Sequence, residues 1–121
     1  MKNVEMSLVN IESLPKLMHD YLECYLVVRG TAVAEVDGRE YPMGEDDMII
    51  IPPEDTYGIL GNGDNMIAHC RVSVRYLNDV WDGFSACRIA CNSVCAAGEQ
   101  KEAFREIRGL FMKMLLIQLQ R

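Results

Sequence analysis

The sequence predicts a mainly β domain, a sandwich or barrel of short strands followed by one amphipathic helix. Three observations carry this. Between residue 7 and about residue 97, short apolar runs are separated by turn residues at roughly eight- to twelve-residue intervals, the pattern of an all-β sandwich or barrel. From Glu99 onward the apolar period lengthens from that of a strand to that of a helix. The chain has 121 residues, 50% of them hydrophobic, enough to bury one core and too few for two.

The strands follow in order. Leu22 to Arg29, rich in Tyr, Leu and Val, ends at Gly30. Thr31 to Val36 alternates and runs into Asp37-Gly38, a strong hairpin signal, so Arg39 to Met43 is expected to return antiparallel to it. Met48 to Ile51 is stopped by Pro52-Pro53, Thr56 to Leu60 follows, and Gly61-Asn62-Gly63-Asp64 makes the next turn. Met66 to Leu77 reads as a half-buried strand, with Met66, Ala68, Cys70, Val72 and Val74 on one side and Ile67, His69, Arg71 and Ser73 on the other. Either set can face inward. Asn78 to Ser85 reads as a loop in which Trp81 and Phe84 pack. Arg88 to Val94 reads as a final strand, with Cys87, Cys91 and Cys95 as small hydrophobes; a soft-metal or redox role for this cysteine row is the competing reading.

These strands form a barrel over residues 1–98, and the helix occupies 99–121. Phe104, Ile107, Leu110, Phe111, Met114 and Leu115 form its apolar stripe, with Lys101, Arg105, Arg108 and Lys113 between them. A helix of this length spans about 30 Å and carries more apolar surface than one small barrel requires, so these six residues are the predicted interface of a homodimer. Its pattern reaches Arg121 with no Gly, Asn or Pro to stop it, which predicts that a further segment follows.

Charge and composition exclude several roles. A net charge of −6 with no cluster of Lys and Arg rules out a phosphate backbone as a direct partner. No apolar run approaches the ~20 residues of a bilayer span, so no membrane partner is expected. Met1-Lys2-Asn3-Val4-Glu5 lacks the apolar region of a secretory signal, and five cysteines fit no disulfide framework; both point to a cytoplasmic protein with reduced thiols.

One stretch carries chemistry. Leu17-Met18-His19-Asp20-Tyr21-Leu22-Glu23 is followed by six residues and then Gly30. It resembles the first cupin motif, H-x-H-x3-E-x6-G, with Leu17 in the place of the first His and with His19, Glu23 and Gly30 in register. Asp46 to Tyr57 resembles the second cupin motif, G-D-x4-P-x-G-x2-H, with Asp46 and Glu54 replacing glycines and Tyr57 replacing the final His. The motif works because residues at even spacing on a strand face one side, letting two His and a Glu converge on a metal. Here only His19 and Glu23 remain of four ligand positions, a poor transition-metal site, so no cofactor is expected.

The strings Tyr25 to Thr31, Val36 to Pro42 and Asp47 to Pro53, followed by an amphipathic helix, look like the N-terminal sensing domain of AraC-type transcriptional regulators. The resemblance implies a cupin-type double-stranded β-helix, or jelly roll, that binds a small-molecule effector and acts through a dimer on C-terminal helix-turn-helix units. This chain does not contain those DNA-binding units. The expected ligand-binding residues are His19, Tyr21, Glu23, Tyr25, Tyr57, His69 and Arg71: the carboxylate and imidazoles for hydrogen bonds, the tyrosines for flat faces with polar tips. Tyr57 leads this set because it stands where the family's ligand-lining His would be. His69 and Arg71 favour an anionic effector if they point inward and are surface residues if they do not. The alternative is a stand-alone metal-dependent cupin enzyme, with the metal on His19, Glu23 and one of Tyr57 or His69.

Overall fold

The computed structural model describes residues 3–18, 20–81, 91–94 and 96–120, with backbone alone at 16–18 and 91. His19, Phe84, Cys87 and Cys95 lie outside the described residues, so the roles expected of them are not addressed by it. Two antiparallel sheets face each other. The first is built from β1 (Val4–Val9), β8 (Met66–Ser73), β3 (Tyr21–Arg29), β6 (Met48–Ile51) and β9 (Cys91–Asn92), in that spatial order. The second runs β2 (Ser13–Met18), β7 (Thr56–Leu60), β4 (Ala32–Val36) and β5 (Arg39–Met43). A short helix, α1 (Val74–Val80), follows β8, and α2 (Glu99–Leu119) ends the chain.

Local chemistry explains the joints. Asp37 and Gly38 both adopt positive φ, 50° and 85°, the requirement of a type I′ hairpin, and they join β4 to β5 with Val36 opposite Arg39. Gly30 has φ 84°, and a Cβ there would lie 2.4 Å from the Asp64 carbonyl oxygen. Only glycine fits that crossing. The buried Asn65 locks the same end of the barrel: its Oδ1 accepts from Ile11 N–H at 2.8 Å, and its Nδ2 donates to the Ile11 and Thr31 carbonyls. Asp46 and Glu54, which stand where the second cupin motif has glycines, hold positive φ of 72° and 74°. The backbone keeps the turn that glycine would favour although the side chains have changed.

Strand parity creates two apolar layers. Tyr25, Val27, Ile49, Ile51 and Ile67 point between the sheets and meet Ala34, Met43, Tyr57 and Ile59 from the opposite sheet. Leu26, Met48, Ala68 and Cys70 point the other way, onto α2, where Phe104, Phe111 and Leu115 cover them. The helix is tied at its side by Arg108, whose Nη1 donates to the Asp46 carbonyl at 3.0 Å.

Several expectations are corrected. The strand read as Met66 to Leu77 ends at Ser73, whose hydroxyl accepts the Tyr76 N–H and so caps α1, a side-chain bond that a continuing strand cannot make. Trp81 follows the end of α1, its N–H held by the Leu77 carbonyl, and stands 43% exposed where a packing role was expected. Of the stretch read as a strand from Arg88 to Val94, Cys91–Asn92 is the part paired in the described residues. Phe104, Phe111 and Leu115, expected in a dimer interface, are buried on the chain's own barrel because they share the one helix face that meets Leu26, Met48 and Ala68. Ile107, Leu110 and Met114 of the same expected interface remain exposed.

Candidate ligand-binding site

The interior site begins with register. On β3 the odd-numbered residues Tyr21, Glu23, Tyr25 and Val27 face the barrel, and on β8 their partners are Ser73, Arg71, His69 and Ile67. His69 and Arg71 therefore point inward, the question that alternation alone left open. Tyr57 arrives from the opposite sheet, where it pairs with Val36 and Leu17. Glu23, 2% exposed, sits at the centre of this group.

Three donors address its carboxylate. The Tyr57 hydroxyl donates to Oε2, the His69 Nε2–H donates to Oε1 at 2.9 Å, and the Arg71 guanidinium approaches Oε1 through Nε at 3.5 Å. Tyr57 has one proton and Glu23 takes it, so the Tyr25 hydroxyl is the donor in its 2.7 Å bond to Tyr57. The result is a directed chain running from Tyr25 through Tyr57 to Glu23, met from the other side by His69. Tyr25 and His69 stack with centroids 4.3 Å apart and planes within 4°. At the rim the Arg71 guanidinium lies 3.9 Å above the Tyr21 ring and 4.0 Å from Glu5.

Burial governs the protonation of the two phenols. It raises the Tyr25 hydroxyl above the usual tyrosine range, with a further push from the neighbouring Glu23 charge. Tyr57 is raised further by burial and then by its hydrogen bonds to Glu23 and Tyr25. Both remain proton donors across the physiological range.

The arrangement holds six of the seven residues expected from sequence, with His19 the exception. Glu5 is the residue that sequence reasoning missed. Its signal was the alternation Val4, Met6, Leu8 against Glu5, Ser7, Val9, which places Glu5 opposite Arg71. The inward Arg71 is not a bare anion clamp, because Glu23 and Glu5 face its charge. Its Nε is nevertheless buried with no hydrogen-bond partner among the described residues, since 3.5 Å to Glu23 is too long for one.

Residues 6–74, more than half the chain, match the family described as the cupin domain. The chain belongs to the cupin family. No curated protein matches the sequence. Among solved structures, this cupin is similar to a cupin superfamily protein from Desulfitobacterium hafniense, with TM-score 0.56 and 20% identity over 60% of this chain and 70% of that one. It is also similar to KdgF from Halomonas sp., with TM-score 0.55 and 15% identity over 61% of this chain and 73% of that one. A third is the Cnp3 cupin domain of Schizosaccharomyces pombe, with TM-score 0.56 and 14% identity over 64% of this chain and 61% of that one. At these identities the likeness establishes the shared jelly-roll fold.

Membership raises the question of a metal. The cupin's family ligand positions are Leu17, His19, Glu23 and Tyr57. Leucine has no donor atom, Tyr57 is a phenol held in its protonated form, and Glu23 already accepts hydrogen bonds from Tyr57 and His69 and pairs with Arg71. Among the described residues no three His, Cys, Asp or Glu side chains converge as a metal group. This donor set does not fit a resident transition metal. No helix among the described residues is long and apolar enough to cross a membrane.

Proposed function

We propose that this cupin is the small-molecule-sensing and dimerisation domain of an AraC-type transcriptional regulator, cytoplasmic and without catalytic activity of its own. The observation that carries the reading is the buried Nε of Arg71, which meets Glu23 only as a 3.5 Å ion pair and has no hydrogen-bond partner among the described residues. An unsatisfied buried donor costs roughly 1–3 kcal/mol, and an effector that places an oxygen acceptor there recovers that energy. Tyr21, His69 and Arg71 are partly exposed at the edge of this cluster, where an effector would reach it, while Glu23, Tyr25 and Tyr57 are buried behind them. Among the described residues no three His, Cys, Asp or Glu side chains gather as the metal-dependent alternative would need.

The helix supports the dimer half of the reading. Ile107, Leu110, Met114 and Ile117 recur at alternating three- and four-residue spacing and are all exposed, a second stripe on the side of α2 away from Phe104, Phe111 and Leu115. This is the seam spacing of paired helices. Effector binding would act as a population shift between arrangements of that dimer, changing the spacing of DNA-binding units attached beyond it.

The test reads the gene beyond the Arg121 codon and then measures binding. A following segment of roughly 100 basic, helical residues with helix-turn-helix pattern is expected. A thermal-shift screen of small polar compounds should give a hit that Arg71→Gln abolishes. An immediate stop codon overturns the regulator reading. Near-stoichiometric metal that is lost with Glu23→Gln overturns the binding-domain reading in favour of a metal-dependent enzyme.

A further inference from the structure

The outer face of the five-stranded sheet carries a row of sulfur that the barrel site does not use. Cys24 on β3 and Cys70 on β8 are register partners, and Met6 on β1 is the partner of Cys70 on its other side. All three belong to the layer under α2, where Cys70 is buried, Met6 and Cys24 are half-buried, and Met112 packs against the same cluster from the helix. Three soft donors thus stand side by side across three adjacent strands.

Adjacent thiols suit either a disulfide or a shared soft metal ion, and the phase of the hydrogen-bond ladder separates the two. Val27 bonds the turn beside β6 through both its N–H, 2.9 Å to the Asp47 carbonyl, and its C=O, 2.8 Å from the Asp46 N–H. The peptide groups of β3 alternate, so Val27, Tyr25 and Glu23 address β6 while Cys24 addresses β8. From the other side, Ser73 N–H bonds the Asn3 carbonyl at 2.8 Å, so Ser73 and Arg71 address β1 and Cys70 addresses β3. Cys24 and Cys70 therefore form the wide, hydrogen-bonded type of pair, with Cβ atoms about 5.5 Å apart. A disulfide needs its Cβ atoms roughly 3.5–4.5 Å apart. Two sulfurs sharing one ion, each about 2.3 Å from it, fit the wider gap. Met6 and Cys70 form the narrow type, which brings the thioether closer to the same point.

Thiolate and thioether together, without nitrogen or carboxylate, select a soft monovalent ion, and three such donors fall short of the four that zinc takes. We propose that Cys24, Cys70 and Met6 form a copper(I) site on the outer face of the sheet beneath α2. Binding releases two thiol protons to solvent, Cys24 and Cys70 coordinate as thiolates, and Met6 coordinates as a neutral thioether. No electron moves, so no oxidant is involved. Occupancy acts on the seating of α2, because Met112 reaches the same layer from that helix.

The reduced full chain is titrated anaerobically with copper(I) against bathocuproine disulfonate as competitor. The wild type is expected to withdraw a single copper(I) per chain, and the Cys87→Ser/Cys91→Ser/Cys95→Ser variant to do the same. Cys24→Ser and Cys70→Ser each lose this binding, and the volume-conserving Met6→Leu weakens it. X-ray absorption of the loaded wild type, which does not depend on any variant folding, should read an all-sulfur shell. Failure of the wild type to compete for copper overturns the site. So does binding that survives Cys24→Ser, binding lost in the triple variant, or a shell containing nitrogen.

Discussion

Replacing Tyr57 by Phe tests the proton chain at the centre of the barrel. The ring is kept, so no cavity opens and the packing against Ile59 and Val36 is unchanged. Two hydrogen bonds disappear together. The bond to the Glu23 carboxylate is charge-assisted and contributes about 1.5–3 kcal/mol. The Tyr25 hydroxyl, on a residue 2% exposed, loses its acceptor, and a buried donor left unmet costs about 1–3 kcal/mol more. The sum is about 2.5–6 kcal/mol, a large share of the ~5–15 kcal/mol typical of a domain. Tyr25→Phe severs the same contact from the other end but leaves Tyr57 donating to Glu23, so it costs only about 1 kcal/mol. The measurement is urea unfolding of wild type and both variants by circular dichroism, with unchanged m-values required for the comparison. Equal losses, or a larger loss for Tyr25→Phe, would refute the donor order and with it the view of Glu23 as the terminal acceptor.

Four further outcomes are expected. Glu54→Gly relieves an L-residue at φ 74° and should raise stability by up to about 1 kcal/mol after the added chain entropy of glycine is subtracted, read as a higher Tm. Gly30→Ala forces a Cβ to 2.4 Å from the Asp64 carbonyl and should cost about 2–4 kcal/mol or abolish soluble expression; near-wild-type stability would mean that the β3–β4 turn relaxes freely. Tyr25 and Tyr57 ionise at higher pH folded than unfolded, so their contribution is complete below about pH 10 and is lost as pH rises past it. Alkaline unfolding curves should show this decline, shallower in Tyr57→Phe. Finally, Leu110→Asp should shift the sedimentation of the chain toward monomer while leaving its Tm nearly unchanged, whereas Phe111→Ala should lower Tm by removing a buried ring.

How much of this was legible follows from the range of each interaction. Asp37-Gly38, Pro52-Pro53 and Gly61 to Asp64 act over a few bonds, so the joints of β3 through β7 are where the sequence puts them. β1 and β2 are edge strands, one broken by the polar Glu5 and Ser7 and one interrupted by Pro15, and neither has a run strong enough to announce itself. Ser73 misled because it fits either a strand or a helix cap, and the Tyr76 N–H decided between them. The stripe on α2 was visible as apolar, but its division into Phe104, Phe111 and Leu115 on the barrel and Ile107, Leu110 and Met114 outside depends on where the helix lands.

By itself the sequence determined the class of fold and the candidate ligand residues, because periodicity, turn chemistry and motif spacing are local properties of the chain. Which face of β8 looks inward was decided only by tertiary structure. Alternation fixes that His69 and Arg71 share a side, yet it is symmetrical between the two sides. The choice came from pairing with β3, which set His69 beside Tyr25 and Arg71 beside Glu23, and from α2 covering Ala68 and Cys70 on the other face. An apolar helix can shield only one side of a sheet, and the charged set was left to build the site within.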